Sequence, residues 1–377
     1  MVTRFSKRNI LKNLANIPGW RTKRKLLIFE SDDWGGIRMP SREVFNNLLK
    51  EGIDLLSDDG FRYNKYDSLE TAEDLASLFE VLSTVKDSTN NMAVFTPVSV
   101  VANPDFVKIS QSDFTKYYYE PFTKTMERCK GCDNSFTLWK EGIEKRLFMP
   151  QFHGREHLNV NEWMRALKGG HKKARKAFAG SMWGISTAND PDIKVEFQAA
   201  FDFIEPADLK YHKEVIVSGL NLFEKLFGYR ATYFVPANGP FSTKLDTVCL
   251  TEGIKYMYSS KIQTEPLGQG RTRKRLHWLG QKNKLGLTYL IRNCFFEPCQ
   301  PGLDWVDRCL DEISIAFKWH KPAVVSSHRV NYIGALDWHN RENGLSQLNL
   351  LLRKIMKAWP DTEFITTAEL GKIISNE

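Results

Sequence analysis

The stretch Lys25-Leu26-Leu27-Ile28-Phe29-Glu30-Ser31-Asp32-Asp33-Trp34-Gly35-Gly36 sets an apolar run against two adjacent carboxylates and a glycine pair. Lys25 to Glu30 reads as a short buried strand, and Gly35, Gly36 and Pro40 end any regular structure beyond it. Asp32 and Asp33 therefore stand at the carboxyl end of a strand, the edge where parallel architectures gather catalytic loops. Two like charges so close do not both ionise cheaply without a cation nearby. The plainer reading makes Asp32 a helix cap and Asp33 a solvated turn residue. A metal reading needs further ligands at other strand ends.

Outward from this strand, helical patterns at 42–50 and 69–85 lead to a second strand at 93–98. Further strands are expected at 146–149, 231–235, 254–258, 288–292, 323–327 and 363–366, with helices at 213–227, 305–319 and 345–358. This alternation predicts an α/β protein with a mainly parallel sheet, and about eight units suggest closure into a (β/α)7-8 barrel. Residues 102–146 interrupt the rhythm and read as an insertion. With no linker and no internal repeat, 25–377 is expected to be a single barrel domain behind a basic segment, 1–24.

Over 377 residues, 42% hydrophobic and 26% charged side chains are ordinary globular composition and argue against disorder. The net charge of +8 is local: Arg4, Lys7, Arg8, Lys12, Arg21, Lys23, Arg24 and Lys25 precede the first acid, Glu30, and account for the whole excess. Without the aromatic interleaving or fold pattern of a nucleic-acid module, no nucleic-acid partner is expected. The cluster is either a contact with an anionic membrane surface or a solvated tail. No apolar stretch approaches the roughly 20 residues of a membrane span, and no signal-like apolar region opens the chain. A cytoplasmic protein is expected, in peripheral contact with the inner face of the membrane if the basic segment binds there. Six cysteines are too few for a disulfide scaffold, and Cys129-Lys130-Gly131-Cys132, although spaced like a zinc knuckle or redox pair, has no second such motif.

The metal ligands are sought next at Gln151-Phe152-His153-Gly154-Arg155-Glu156-His157, directly after an expected strand. Histidines at i and i+4 share one face of a helical turn, so both imidazoles reach one divalent ion. With Asp33 they make three N/O ligands and leave a position for water. Asp33 is then the ligand and Asp32, beside the cation but not bound to it, the base. His328, in Ser326-Ser327-His328-Arg329, repeats the strand-end address. Trp34 is read either as core packing or as a platform for substrate.

In this order the motifs resemble the polysaccharide deacetylase family, metal-dependent carbohydrate deacetylases with a distorted (β/α) barrel. The resemblance covers roughly residues 25 to 370 and rests on short motifs. Ser31-Asp32-Asp33-Trp34-Gly35 is similar to F-D-D-G with one inserted tryptophan, and His153 to His157 is similar to H-S/T-x-x-H with Gly154 in place of the hydroxyl residue. Phe234-Val235-Pro236-Ala237-Asn238-Gly239 aligns with F-R-P-P-Y-G, but Val235 stands where an arginine would orient the base. Asp304-Trp305 looks like the D-W element, and Ser327-His328-Arg329 the terminal L-H-D, with Arg329 replacing its aspartate. The resemblance implies Asp32 as base, Asp33, His153 and His157 as ligands of a divalent metal, zinc, and His328 as general acid. It also implies the Asn238 backbone N–H as oxyanion donor, Asp304 and Trp305 as substrate contacts, and an acetylated sugar or glycan precursor as substrate. Arg329, a cation beside His328, is expected to contact substrate and to place the acid limb at low pH.

Two other readings stay open. His153-Gly154-Arg155-Glu156-His157 also spells the H-x-x-E-H of some zinc metalloproteases, with Glu156 as base, although Pro150 and Gly154 oppose the long helix this requires. The loss of the two orienting residues also suits a glycan-binding protein without catalysis on the same fold.

Overall fold

The computed structural model describes residues 7–56, 60–187 and 190–376, with side chains from residue 10 onward. Arg4 and the side chains of Lys7 and Arg8 lie outside what is described. Among the described residues thirteen strands occur in the order β1 (Lys25–Trp34), β2 (Phe95–Val100), β3 (Ala102–Pro104), β4 (Tyr119–Pro121), β5 (Gln151–Gly154), β6 (Tyr233–Phe234), β7 (Tyr256–Tyr258), β8 (Ile262–Gly268), β9 (Arg271–Leu276), β10 (Thr288–Leu290), β11 (Cys294–Phe295), β12 (Ala323–His328) and β13 (Thr362–Phe364). Eight of them form a parallel sheet in the order β10-β7-β6-β5-β2-β1-β12-β11, and β13 pairs with the first residues of β1. The expected strands appear, with one displaced. The strand read at 146–149 forms at Gln151–Gly154, because Arg146 adopts φ 54° and Pro150 intervenes.

The sheet is curled. Its two outer strands, β10 and β11, are consecutive in the chain and separated only by Ile291, Arg292 and Asn293. Four residue steps span at most about 14 Å, so the two edges are drawn together.

Parallel strands covered on both faces are apolar throughout, and β1 is buried along nearly its whole length. Leu27 and Phe29 face a core shared with the surrounding helices, which includes Phe95, Phe152 and Phe234. Leu26 and Ile28 face the inside of the curl, with Val98, Tyr233, Tyr256, Leu290 and Val324. Helix ends obey local chemistry: Thr71 and Asp74, and Thr366 and Glu369, form reciprocal capping boxes. Cys132 is buried in the outer core. Among the described residues no helix is long and apolar enough to cross a membrane.

Candidate functional site

The carboxyl ends of β1, β5 and β12 open into a pocket of about 530 Å³ whose wall includes Asp32, Asp33, His153, His157 and His328. Successive residues of a pleated strand face opposite ways, which puts Glu30 and Asp32 on the inward face with Leu26 and Ile28. Asp33 would then point outward. Instead the β1–β2 pairing slips between Ser31 and Trp34, and Asp33 takes φ 77°. That conformation costs a non-glycine residue on the order of 1–3 kcal/mol, and the bulge re-aims the carboxylate. Gly35 comes next but one at φ 77°, where a Cβ would meet the Val100 carbonyl oxygen at 2.7 Å.

Trp34 is not on the pocket wall. It is 1% exposed, its indole N–H donates to Ser31 Oγ at 2.9 Å, and its ring meets Phe148 edge-on at 4.8 Å. The substrate-platform reading is therefore corrected: the extra residue anchors the bulge in the core.

The helical turn expected at the two histidines is also absent. His153 belongs to β5, Gly154 turns the chain at φ 134°, and the next helix begins only at Val160. A strand end and its loop nevertheless bring the two rings to a centroid distance of 5.0 Å. Their Nε2 atoms lie 3.4 Å and 3.3 Å from Asp33 Oδ1.

The Val235 carbonyl accepts from His153 Nδ1 at 2.7 Å, which leaves Nε2 as the lone-pair nitrogen. That Nε2 is buried and makes no hydrogen bond to a described residue. Lone pairs of two imidazoles and a carboxylate, all within 4.8 Å of one another, repel unless a cation lies among them. This donor set therefore fits a divalent metal. Burial alone would raise the Asp33 pKa, but the His153 ring beside it, with His157 and His328, holds it well below the usual carboxylate range.

Asp32 is gripped from a distant part of the chain. Arg292, in the tripeptide that joins the sheet edges, donates to Asp32 Oδ2 at 2.6 Å and Oδ1 at 2.7 Å. Its Nε donates to Glu30 at 2.5 Å, and Glu30 in turn accepts from Tyr233 and Thr367, each at 2.9 Å. Burial pushes the Asp32 pKa up, the Arg292 charge and bonds push it down, and the net direction is down. An arginine on Asp32, expected at the Val235 position, thus arrives from another strand end. Its signal in the sequence is a charge, Arg292, set between the apolar stretches Thr288–Leu290 and Cys294–Phe295.

His328 sits 3.9 Å from Asp32, Nε2 to Oδ2, and bonds Glu297 Oε1 through Nδ1 at 2.5 Å. Glu297 is held on its other oxygen by Asn331 at 2.9 Å and by Arg62. Burial disfavours the imidazolium, yet the Glu297 charge and bond, with Asp33 and Asp32 behind, raise His328 to about 9. The low acid limb expected from Arg329 is overturned. Arg329 is fully buried and turned away from His328, onto Asp67, Glu70 at 2.8 Å and the Gly36 carbonyl at 2.7 Å. It forms part of the pocket floor as a fully buried ion-pair partner of Asp67 and Glu70.

Of the remaining expected residues, Asn238 lines the pocket at φ 59°, and Trp305 lines it with its indole N–H on the Gln300 carbonyl. Asp304 does not line it. Its side chain caps the helix Trp305–Lys318 by accepting from the Asp307 N–H. Glu156 is buried against Arg155 at 2.6 Å and is absent from the pocket wall, so the metalloprotease reading loses its base. Trp183, which sequence reasoning did not single out, stacks beside His157 with ring centroids 6.1 Å apart.

No protein-family model matches the sequence, and no curated protein is similar to it. Among solved structures, the chain is similar to one from Pseudomonas aeruginosa PAO1 assigned as a polysaccharide deacetylase (9% identity, TM-score 0.47, covering 94% of this chain and 92% of that one). It is also similar to one from Mycobacterium smegmatis with the same assignment (9%, 0.45, 95% and 93%) and to an allantoinase (11%, 0.46, 94% and 93%).

Proposed function

We propose that this protein is a metal-dependent hydrolase that removes an acetyl group from an acetylated sugar or glycan precursor in the cytoplasm. The observation that carries the reading is the meeting of Asp32, the Asp33–His153–His157 cluster and His328 in one pocket. Zinc suits one carboxylate and two imidazoles, and would supply Lewis-acid polarisation of the acetyl carbonyl. Asp32, kept ionised by Arg292, accepts the proton of the attacking water through lone pairs that the guanidinium leaves open. The Asn238 backbone N–H is offered to the developing oxyanion, and His328 gives its proton to the departing nitrogen or oxygen. Trp183, Trp305 and Tyr63 supply flat faces for a sugar ring along the pocket wall. The non-catalytic reading rested on Val235 and Arg329, and Arg292 and Glu297 now stand in the places those residues left. The direct test is acetate release by the metal-loaded protein from a panel of N- and O-acetylated sugars. Sugar binding without acetate release would favour the non-catalytic reading.

Two expectations refine it. Asp33→Ala and His157→Ala should each weaken metal affinity by at least about tenfold, measured by elemental analysis after dialysis against a chelator. Full metal content in both variants would remove this ligand set. The second concerns pH. With His328 raised to about 9 from an ordinary 6.5, its proton is held more tightly in the native state. The stability it contributes is present in full below the ordinary value and is lost as pH rises through about 9. Turnover should fall over the same alkaline range. Glu297→Gln removes the charge that raises the imidazole, so the alkaline limb should move down toward the ordinary imidazole range. A pH–rate profile with an unmoved limb would exclude His328 as the acid.

A further inference from the structure

Outside the pocket, several exposed apolar side chains among the described residues lie on the N-terminal helix and the β8–β9 hairpin. On α1 (Lys7–Ala15) and the turn after it, Ile10, Leu11, Leu14 and Ile17 are 46, 66, 54 and 41% exposed. Ile10, Leu11 and Leu14 fall on one helical face, and Ile17 follows in the turn beyond it. The helix is not loose: Lys12 pairs with Glu312 at 2.5 Å, and Trp319 donates to Asn13 at 2.8 Å. Anchored through its other side, it still presents these aliphatics outward.

The hairpin continues the surface. Ala15, Asn16 and Pro18 share a small cavity with Lys261 and Trp278, and the Trp20 N–H donates to the Leu279 carbonyl at 2.8 Å. In the antiparallel register Ile262 faces Leu276 and Thr264 faces Lys274, so these four side chains lie on one side of the ribbon. Ile262, Leu276 and Trp278 are 60, 67 and 42% exposed, and the strand Arg271–Leu276 is basic and open to solvent over most of its length.

We propose that α1 and the β8–β9 hairpin form one surface that docks on an anionic lipid bilayer. Aliphatic side chains and Trp278 would enter the interface while Lys and Arg meet headgroup phosphates. Two signals, apolar and basic, are what stable peripheral binding requires. Charge selects this occupant. The chain carries eight Lys and Arg and no acid before Glu30, and the adjoining strand adds Lys274 on the side of the ribbon that carries Ile262 and Leu276, while Arg273 and Arg275 on the other side pair with Glu265. A second copy of this chain would oppose like charges, whereas a lipid surface offers dense negative charge.

The test is co-sedimentation of the full chain with phosphatidylcholine vesicles, with and without about one-third phosphatidylglycerol, with circular dichroism as a folding control. Binding to the anionic vesicles is expected to exceed that to neutral ones by about tenfold and to weaken as salt rises. Leu11→Glu/Leu14→Glu and, independently, Lys274→Glu/Leu276→Glu should each reduce it by about tenfold. Equal binding to both vesicle types, or native binding by both folded variants, would overturn the proposal. So would a self-association that these variants abolish in the absence of vesicle binding.

Discussion

Asp32→Asn is expected to keep its metal and lose acetate release by roughly 10²–10⁴-fold, the usual scale for removing a general base. The two effects separate because the bulge gives Asp32 and Asp33 different tasks. Asp33 faces the imidazoles at 3.3 Å and 3.4 Å, whereas both Asp32 oxygens are taken by Arg292. A neutral amide at position 32 cannot accept a proton; its oxygen can keep one Arg292 N–H while its NH2 group must give way before the other, and Arg292 stays held by Glu30 at 2.5 Å. The fold and the metal cluster should therefore persist, as elemental analysis and thermal melting would show. Near-native turnover in a metal-replete Asp32→Asn protein would mean that water is activated by another group, and the proposed reaction would have to be rebuilt without Asp32.

The second large effect is on stability. Arg329→Met should cost about 3–5 kcal/mol, because removing one partner leaves Asp67 and Glu70 buried and uncompensated. Both acids are already held above their usual pKa, by burial first, with Arg329 pulling the other way. Without the guanidinium the upward shift grows. A carboxylate whose folded pKa is raised binds its proton more tightly in the native state, so folding stability falls as pH rises and recovers as pH falls. Urea denaturation across a pH series checks both points. The variant should be markedly less stable than the native protein at neutral pH, with the gap narrowing in acid. A loss under about 1 kcal/mol, or a gap independent of pH, would show that the pair contributes little and that its acids are neutral already.

What the sequence disclosed depended on distance along the chain. Strand positions were legible because buried parallel strands are apolar on both faces, and Asp33, His153 and His157 because each lies beside such a run. The local backbone was not. An inserted tryptophan reads as a wall residue until the register slip shows it turned inward, and His-x-x-x-His reads as a helical turn until Gly154 breaks it. Partners fixed by tertiary closure left the weakest trace. Arg292 reaches Asp32 across 260 positions, and Glu297 takes the place expected of the residue next to His328. The trace they left was charge in an apolar setting. A buried charge needs a partner, and that requirement could have singled out Arg292 without naming the partner.

The curl of the sheet has a bearing on how such a protein fails. Its outermost strands, β10 and β11, are tied by three residues, and the middle one reaches in to hold the pocket's aspartate. Seam and chemistry thus share a single latch. A fluctuation that parts the two edges also loosens the hold on Asp32, so the proposed turnover should be lost on heating at the first opening of the seam, before the remaining strands unpair.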